Sequence, residues 1–349
     1  VWLEGLLKYS KNYIPSTSEN IKLVPLKYRD KKTLKKYGDI VLHMYNSFQM
    51  WHHEKDILIV RQVSKRLRPL FVTIEDLLNN IITNIDVELS VVLFEDIVIG
   101  FVSYYIKPNT CLYMLDVWIE PDYRNKGMFT VVHRILRRMA TVLHCKYMDL
   151  EVLMNNKDSY CKYVTMGYIP YIGTYTQGIS KERLKITDSL KDIFIPILLN
   201  QNNYKLYEKD IEFLWYKYHE YKILRFKLLG VDIMRNIPWD MKYVIQERLK
   251  AEVSWILFYL EKDPVGIITI VRSDLHVVAA AQINDFYFLE PYLENFIDII
   301  LRYIKEYIQS HLRNVVYFST FAALSDNIKI NAFEKNIMIH RADNLYLKI

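Results

Sequence analysis

Glycine and proline are scarce: 349 residues contain only 9 Gly and 10 Pro, which leaves little room for disordered linkers. Cysteine is scarcer still, with Cys111, Cys145 and Cys161 alone. An odd count argues against a disulfide framework, and the spacings fit no zinc site, so no metal is expected. Reduced thiols in a cytoplasm are the simplest reading. No apolar run reaches the roughly 18 residues that a bilayer span requires, and residues 1–15 lack the basic-then-apolar order of a signal peptide. A cytoplasmic chain without a membrane partner is therefore expected. The net charge of +6 is small and scattered, whereas a nucleic-acid binder concentrates its charge on one face. No nucleic-acid partner is expected. The densest basic run, Arg61, Lys65, Arg66 and Arg68, reads as a solvated loop or helix end before it reads as an anion contact.

What is present is globular. Hydrophobic residues make up 51% and charged residues 25%, and the length fits two domains. The 28 Tyr read as compositional bias and carry no functional weight. Four weak matches run in the same order along both halves. Glu19–Leu23 resembles Glu182–Ile186, 163 residues on, and Phe94–Gly100 resembles Leu260–Gly266, 166 residues on. Asp116 and Pro121 correspond to Asp285 and Pro291 at 169 and 170, and Tyr163 to Phe333 at 170. The narrow drift implies a duplicated domain, with halves at 1–178 and 181–349.

Each half reads as the same series of elements. In the first, Ile21–Leu26 is a strand, and residues 33–50 and 73–85 are helical by apolar spacing. Thr73 stands as N-cap with Asp76 three residues on, a shortened capping box. Glu88–Phe94 and Ile97–Lys107 form a hairpin about a Glu95-Asp96 turn, and Cys111–Ile119 is a long strand. Residues 125–144 form an amphipathic helix with Val131, Val132, Ile135, Leu136, Met139 and Leu143 on one face. A strand over Tyr147–Leu153, a helix from Lys157 to Met166 ended by Gly167, and a strand from Tyr168 complete the half. The fold class is α/β, an α+β mixed sheet with helices on both faces.

The segment Asp116–Thr130 carries the chemistry. A strand ends at Pro121, a basic turn holds Gly127, and a helix begins at once. Unpaired N–H groups at that helix start, with Arg124 and Lys126 beside them, make a site for a diphosphate, and Gly127 permits close backbone approach. Taken alone, the segment is also compatible with an ordinary strand–turn–helix. There is no Gly-x4-Gly-Lys-Ser/Thr and no Gly-x-Gly-x-x-Gly.

At this point the chain resembles the GNAT superfamily of acyl-CoA-dependent N-acyltransferases. The family signature Arg/Gln-x-x-Gly-x-Gly/Ala reads Arg124-Asn-Lys-Gly127-Met-Phe129 here. A second segment, Leu150-Glu-Val152, Asn156 and Tyr163-Val-Thr-Met-Gly167-Tyr168, keeps the family's order and spacing. Phe129 departs from the signature's small third residue. The C-terminal half departs further, with Glu290 and Glu294 where the diphosphate would sit, so it resembles a degenerate copy, structural or acceptor-side.

The resemblance implies tandem GNAT-like domains and direct acyl transfer, with acetyl-CoA or another acyl-CoA as cosubstrate, to a primary amine of a small molecule or peptide. It implies cofactor contacts at Val117, Trp118, Ile119, Arg124, Asn125, Lys126, Gly127, Met128, Phe129, Thr130 and Asn156. Asn156 is read equally as a helix cap. Tyr163 stands at the family's general-acid position, and Asp116 and Glu120 are the carboxylates nearest the acyl site, candidates to help deprotonate the amine. His52 and His53, beside Trp51, fall where the fold walls the acceptor pocket, though packing is the commoner role. A non-catalytic acyl-CoA sensor and an interaction module are the alternative readings. Oligomeric state is not legible.

Overall fold

The computed structural model describes residues 20–27, 30–55, 73–82, 87–107, 109–178, 193–231, 241–250, 253–275, 278–312, 315, 317–336 and 338–348. It divides into two compact units: Val1–Pro170 with Asp343–Ile349, and Tyr171–Ala342.

In the first unit β1 (Ile21–Pro25) is followed by α1 (Lys31–Lys55) and α2 (Ile74–Ile82). Then come β2 (Val87–Phe94), β3 (Ile97–Lys107), β4 (Cys111–Ile119), α3 (Met128–Val142), β5 (Tyr147–Leu153) and α4 (Lys157–Thr165). The strand order is β1-β2-β3-β4-β5, antiparallel except for β4 and β5. Local chemistry sets the ends. Thr73 and Asp76 exchange hydrogen bonds, Thr73 N–H to Asp76 Oδ2 at 3.2 Å and Asp76 N–H to Thr73 Oγ1 at 3.1 Å. This is a reciprocal capping box in which Asp replaces Glu. Glu95 and Asp96 both take positive φ, as a two-residue hairpin turn with the right twist demands. Gly167, at φ 92°, ends α4, and Tyr168 N–H reaches back to Tyr163 O at 3.1 Å, a Schellman closure.

The sheet is a middle layer. Val92, Val102, Met114 and Leu150 pack under α3 and α4, and Leu89, Val91, Phe101 and Trp118 pack under α1 and α2. The second unit repeats the series with β7 (Ile195–Leu199), α5 (Glu208–Leu228), α6 (Met241–Arg248), β8 (Val253–Leu260), β9 (Asp263–Leu275) and β10 (Val278–Phe288), then α7 (Glu290–His311), β11 (Tyr317–Ala323) and α8 (Asn327–Lys335). β7 pairs with β8 from Ile195, as β1 pairs with β2 from Ile21. Residues 182–186, matched above to the first strand by sequence, lie outside the described residues, as does the basic run at 61–68.

The closing strands are assigned crosswise. β6 (Ile169–Gly178) follows the first series, yet from Tyr171 it belongs to the second unit, where it runs antiparallel to β11. β12 (Ile339–Lys348) follows the second series, yet from Asp343 it belongs to the first unit. The compact units therefore differ from the 1–178 and 181–349 halves read from the repeat. The repeat marks chain order, whereas strand pairing decides which core a strand completes.

Candidate functional site

The site is built where β4 leaves β5. Their parallel register covers Cys111–Met114 against Tyr147–Leu150 and goes no further. At that point β4 is bulged: its register with β3 passes from Met114–Tyr104 to Asp116–Ser103, which leaves Leu115 as the extra residue. A bulge twists and re-aims a strand. Val117, Trp118 and Ile119 thus continue along β3 with no β5 register on their other side. Gly100 makes the close pairing possible, because a Cβ there would lie 2.1 Å from Trp118 O.

Beyond Ile119 the chain makes one short helical turn, Pro121–Tyr123, and enters α3 through Arg124–Gly127. Asn125 and Gly127 take φ of 59° and 80°. Gly127 is the N-cap and supplies no side chain, so the N–H groups of Met128, Phe129 and Thr130 face outward from the first turn with no side-chain cap over them. Arg124 does not simply point at that turn. Its Nε–H donates to Ile119 O at 2.8 Å, and its guanidinium lies 4.2 Å over the Trp118 ring. It ties the turn to the end of β4 while keeping a positive charge nearby. Lys126 is exposed, 5.7 Å over the Tyr123 ring. Phe129 turns inward, edge-on to Tyr163 with centroids 5.4 Å apart, which leaves its backbone N–H at the helix start.

Tyr163 sits on α4, buried, and burial raises its pKa, so the phenol stays protonated. Among the described residues its hydroxyl makes no hydrogen bond, and burial alone shifts its pKa. Asn156 Oδ1 accepts from Ser159 N–H at 3.4 Å, so its oxygen caps α4, while its amide nitrogen remains able to donate to a ligand. Asp116 is half-buried and firmly held. Ser103 Oγ–H donates to its Oδ2 at 2.8 Å, Tyr45 Oη–H donates to the same oxygen at 3.3 Å, and its own N–H reaches Ser103 Oγ at 3.1 Å. Glu120 lies past the strand end, where its Oε1 accepts from Trp118 Nε1–H at 3.2 Å. The two carboxylates thus have different settings, one clamped at the bulge and one at the turn. His52 packs against Phe48 with centroids 5.6 Å apart, and Trp51 against Trp118 at 6.0 Å; the His53 side chain lies outside the described residues.

Ser103 and Tyr45 were not legible as site residues. Only the β3–β4 register brings Ser103 opposite Asp116, and Tyr45 reads as one more apolar position on a long helix. The same holds for His133, which shares a 2.9 Å hydrogen bond with Tyr168 Oη.

The second unit repeats the geometry and fills it differently. β10 is bulged between Ile283 and Asp285, and its parallel register with β11 covers Ala280–Ile283 only. Leu289 alone separates β10 from α7, and Glu290 opens that helix and pairs with Arg225 at 3.3 Å. Lys329 Nζ, 3.7 Å from Asp326, donates to Phe286 O at 2.8 Å, just past the bulge. A buried ammonium thus ties the first turn of α8 to β10 just past its bulge. Among the described residues of the chain, no group of three or more His, Cys, Asp or Glu is placed to hold a metal, and no helix is long and apolar enough to cross a membrane.

The sequence model of the Acetyltransferase (GNAT) family matches residues 65–168. A tandem GNAT protein from the clavulanic acid biosynthesis pathway is similar in structure at a TM-score of 0.52 and 11% identity, over 94% of this chain and 98% of that one. A GCN5-related N-acetyltransferase from Sphaerobacter thermophilus is similar at 0.57 and 11% identity, over 96% of this chain and 97% of that one. At such identities the likeness concerns fold. No curated protein matches the sequence. Residues 65–168 thus match the GNAT acetyltransferase family model, and the fold of the chain is similar to that of tandem GNAT proteins.

Proposed function

We propose that the chain is an N-acyltransferase that moves an acyl group, acetyl in the first instance, from acyl-CoA directly to a primary amine of a small molecule or peptide. The observation that carries this is the uncapped first turn of α3 behind Gly127, at the end of a strand that has parted from its neighbour. The residues present fit the cosubstrate. N–H groups of Met128, Phe129 and Thr130 suit a diphosphate, with Arg124, Asn125 and Lys126 around it. The edge of β4 at Val117–Ile119 suits the pantetheine arm and offers backbone N–H groups to a thioester oxygen. When bound, acyl-CoA supplies an activated carbonyl and a thiolate leaving group.

The chain's own groups handle the protons. An amine with a pKa of about 10.4 is mostly charged at pH 7, so it must lose a proton before attack. Asp116 or Glu120, directly or through water, accepts it. Tyr163, kept protonated by burial, donates to the departing sulfur. The first unit is the catalytic one. The second, with Glu290 at its helix start and Lys329 bonded to β10 just past its bulge, is a degenerate copy that binds no CoA. A soluble cytoplasmic location belongs to the same reading.

Thiol release with a panel of amines tests the proposal, with Tyr163→Phe as the control. Turnover in that variant should fall by about 10²–10⁴-fold while CoA affinity stays. CoA binding without release for any amine would favour an acyl-CoA sensor, and no CoA binding at all would leave an interaction module.

A further inference from the structure

Phe129 and His133 stand one turn apart on the inner face of α3, and His133 is only 4% exposed. Its neighbours are Phe129, at 6.2 Å between centroids, and Tyr168, at 5.6 Å, whose hydroxyl shares the 2.9 Å hydrogen bond with His133 Nε2. Burial and the Arg137 charge push the His133 pKa down to about 4, so the imidazole is neutral at pH 7. The Tyr168 ring, 2% exposed, meets the Tyr163 ring edge-on at 5.5 Å and 71°, and Phe129 meets the same ring at 5.4 Å and 89°. Tyr163 therefore has two aromatic contacts. One of them comes from a residue just after a Schellman turn, and the hydroxyl end of its ring is anchored by a hydrogen bond to a different helix.

We infer that His133 and Tyr168 are positioning residues for Tyr163: their hydrogen bond anchors the Tyr168 ring, and that ring with Phe129 sets the direction of the Tyr163 hydroxyl. The inference rests on the reading of Tyr163 as proton donor. The physical need is plain. Tyr163 Oη has no partner among the described residues to aim it, so its direction depends on how its ring is held. Proton transfer falls steeply with misalignment. A buried imidazole matched to a phenol satisfies both polar groups at no cost to the apolar packing around them.

Tyr168→Phe keeps the ring and removes the hydrogen bond. Turnover should fall about tenfold, the scale of one lost buried hydrogen bond, with CoA affinity and KM for the amine unchanged. His133→Leu should match it, and His133→Gln, whose amide reaches a similar point, should recover most of the loss. The deciding measurement is the double variant. If Tyr168 acts through Tyr163, then Tyr168→Phe costs nothing further in a Tyr163→Phe background. Additive losses, or a tenfold loss in CoA affinity, would make the pair a packing feature and overturn the inference. A silent Tyr163→Phe would instead overturn the proton-donor reading and this inference with it. A silent Tyr168→Phe beside a damaging Tyr163→Phe would overturn this inference alone.

Discussion

Tyr160 Oη–H donates to Asp343 Oδ2 at 3.0 Å, across 183 positions of sequence, and so binds the end of the chain into the first compact unit. Asp343 is 2% exposed, and the burial of Tyr160, followed by the Asp343 carboxylate beside it, raises the Tyr160 pKa. A buried carboxylate that loses a donor is costly, so Tyr160→Phe should lower stability by about 1–3 kcal/mol in denaturant unfolding of the full chain. A chain ended before Asp343 should lose more, because a strand end goes with it. Unchanged unfolding midpoints in both would show that the closing strand is dispensable to this unit.

Gly127 at φ 80° is the turn residue on which the cofactor proposal depends. Gly127→Val places a β-branched side chain in the left-handed region, at a cost of about 1–2 kcal/mol or more. The added bulk also stands at the helix start. Calorimetry with CoA should show affinity reduced at least tenfold in a variant that still melts cooperatively. Wild-type affinity would move the cofactor site elsewhere.

One CoA per chain is expected. Only the first unit has a turn between its bulged strand and its helix, and the second has Glu290 there and Lys329 bonded to β10 just past its bulge. Titration calorimetry that fits two equivalent sites would contradict this.

Burial pushes Lys329 down to about 8 in the folded chain, against about 10.4 for a solvated lysine. Between those values the unfolded chain binds the extra proton, so stability should rise with pH, by at most about 1.4 kcal/mol per pH unit. Below about 8 the penalty is complete and the curve is flat for this group. Comparing wild type with Lys329→Met from pH 7.5 to 9.5 isolates the effect; parallel curves would mean that Lys329 titrates normally.

His133 gives the opposite limb. Its folded pKa of about 4 lies below the usual 6.5, so the unfolded chain takes up the proton first. Stability should therefore fall as pH drops from about 6.5 toward 4, and His133→Leu should flatten that limb. His219, pushed down to about 3 by burial, contributes in the same direction. An unchanged acid limb in His133→Leu would place the loss on other groups.

Features that depend on near neighbours in the chain could be read directly from the residues. The Thr73–Asp76 cap, the Glu95-Asp96 turn and the Gly167 stop are each set by residues within about one turn of helix or hairpin, and each formed as read; the amphipathic α3 formed too, but over Met128–Val142 rather than 125–144, with Leu143 left as its exposed C-cap. The Arg124–Gly127 turn was legible for the same reason. The duplication was legible because fold-keeping positions such as Asp116 and Asp285 hold their spacing, and both stand at a bulge.

Other features emerged only from long-range packing. Which unit receives Asp343, which residue faces Asp116, where Lys329 ends, and that His133 meets Tyr168 all depend on strands and helices far apart in the chain. An apolar or polar pattern states that a side chain is inward or outward, and it carries no address for the partner. Strand register and helix docking supply that address only when the whole sheet has assembled.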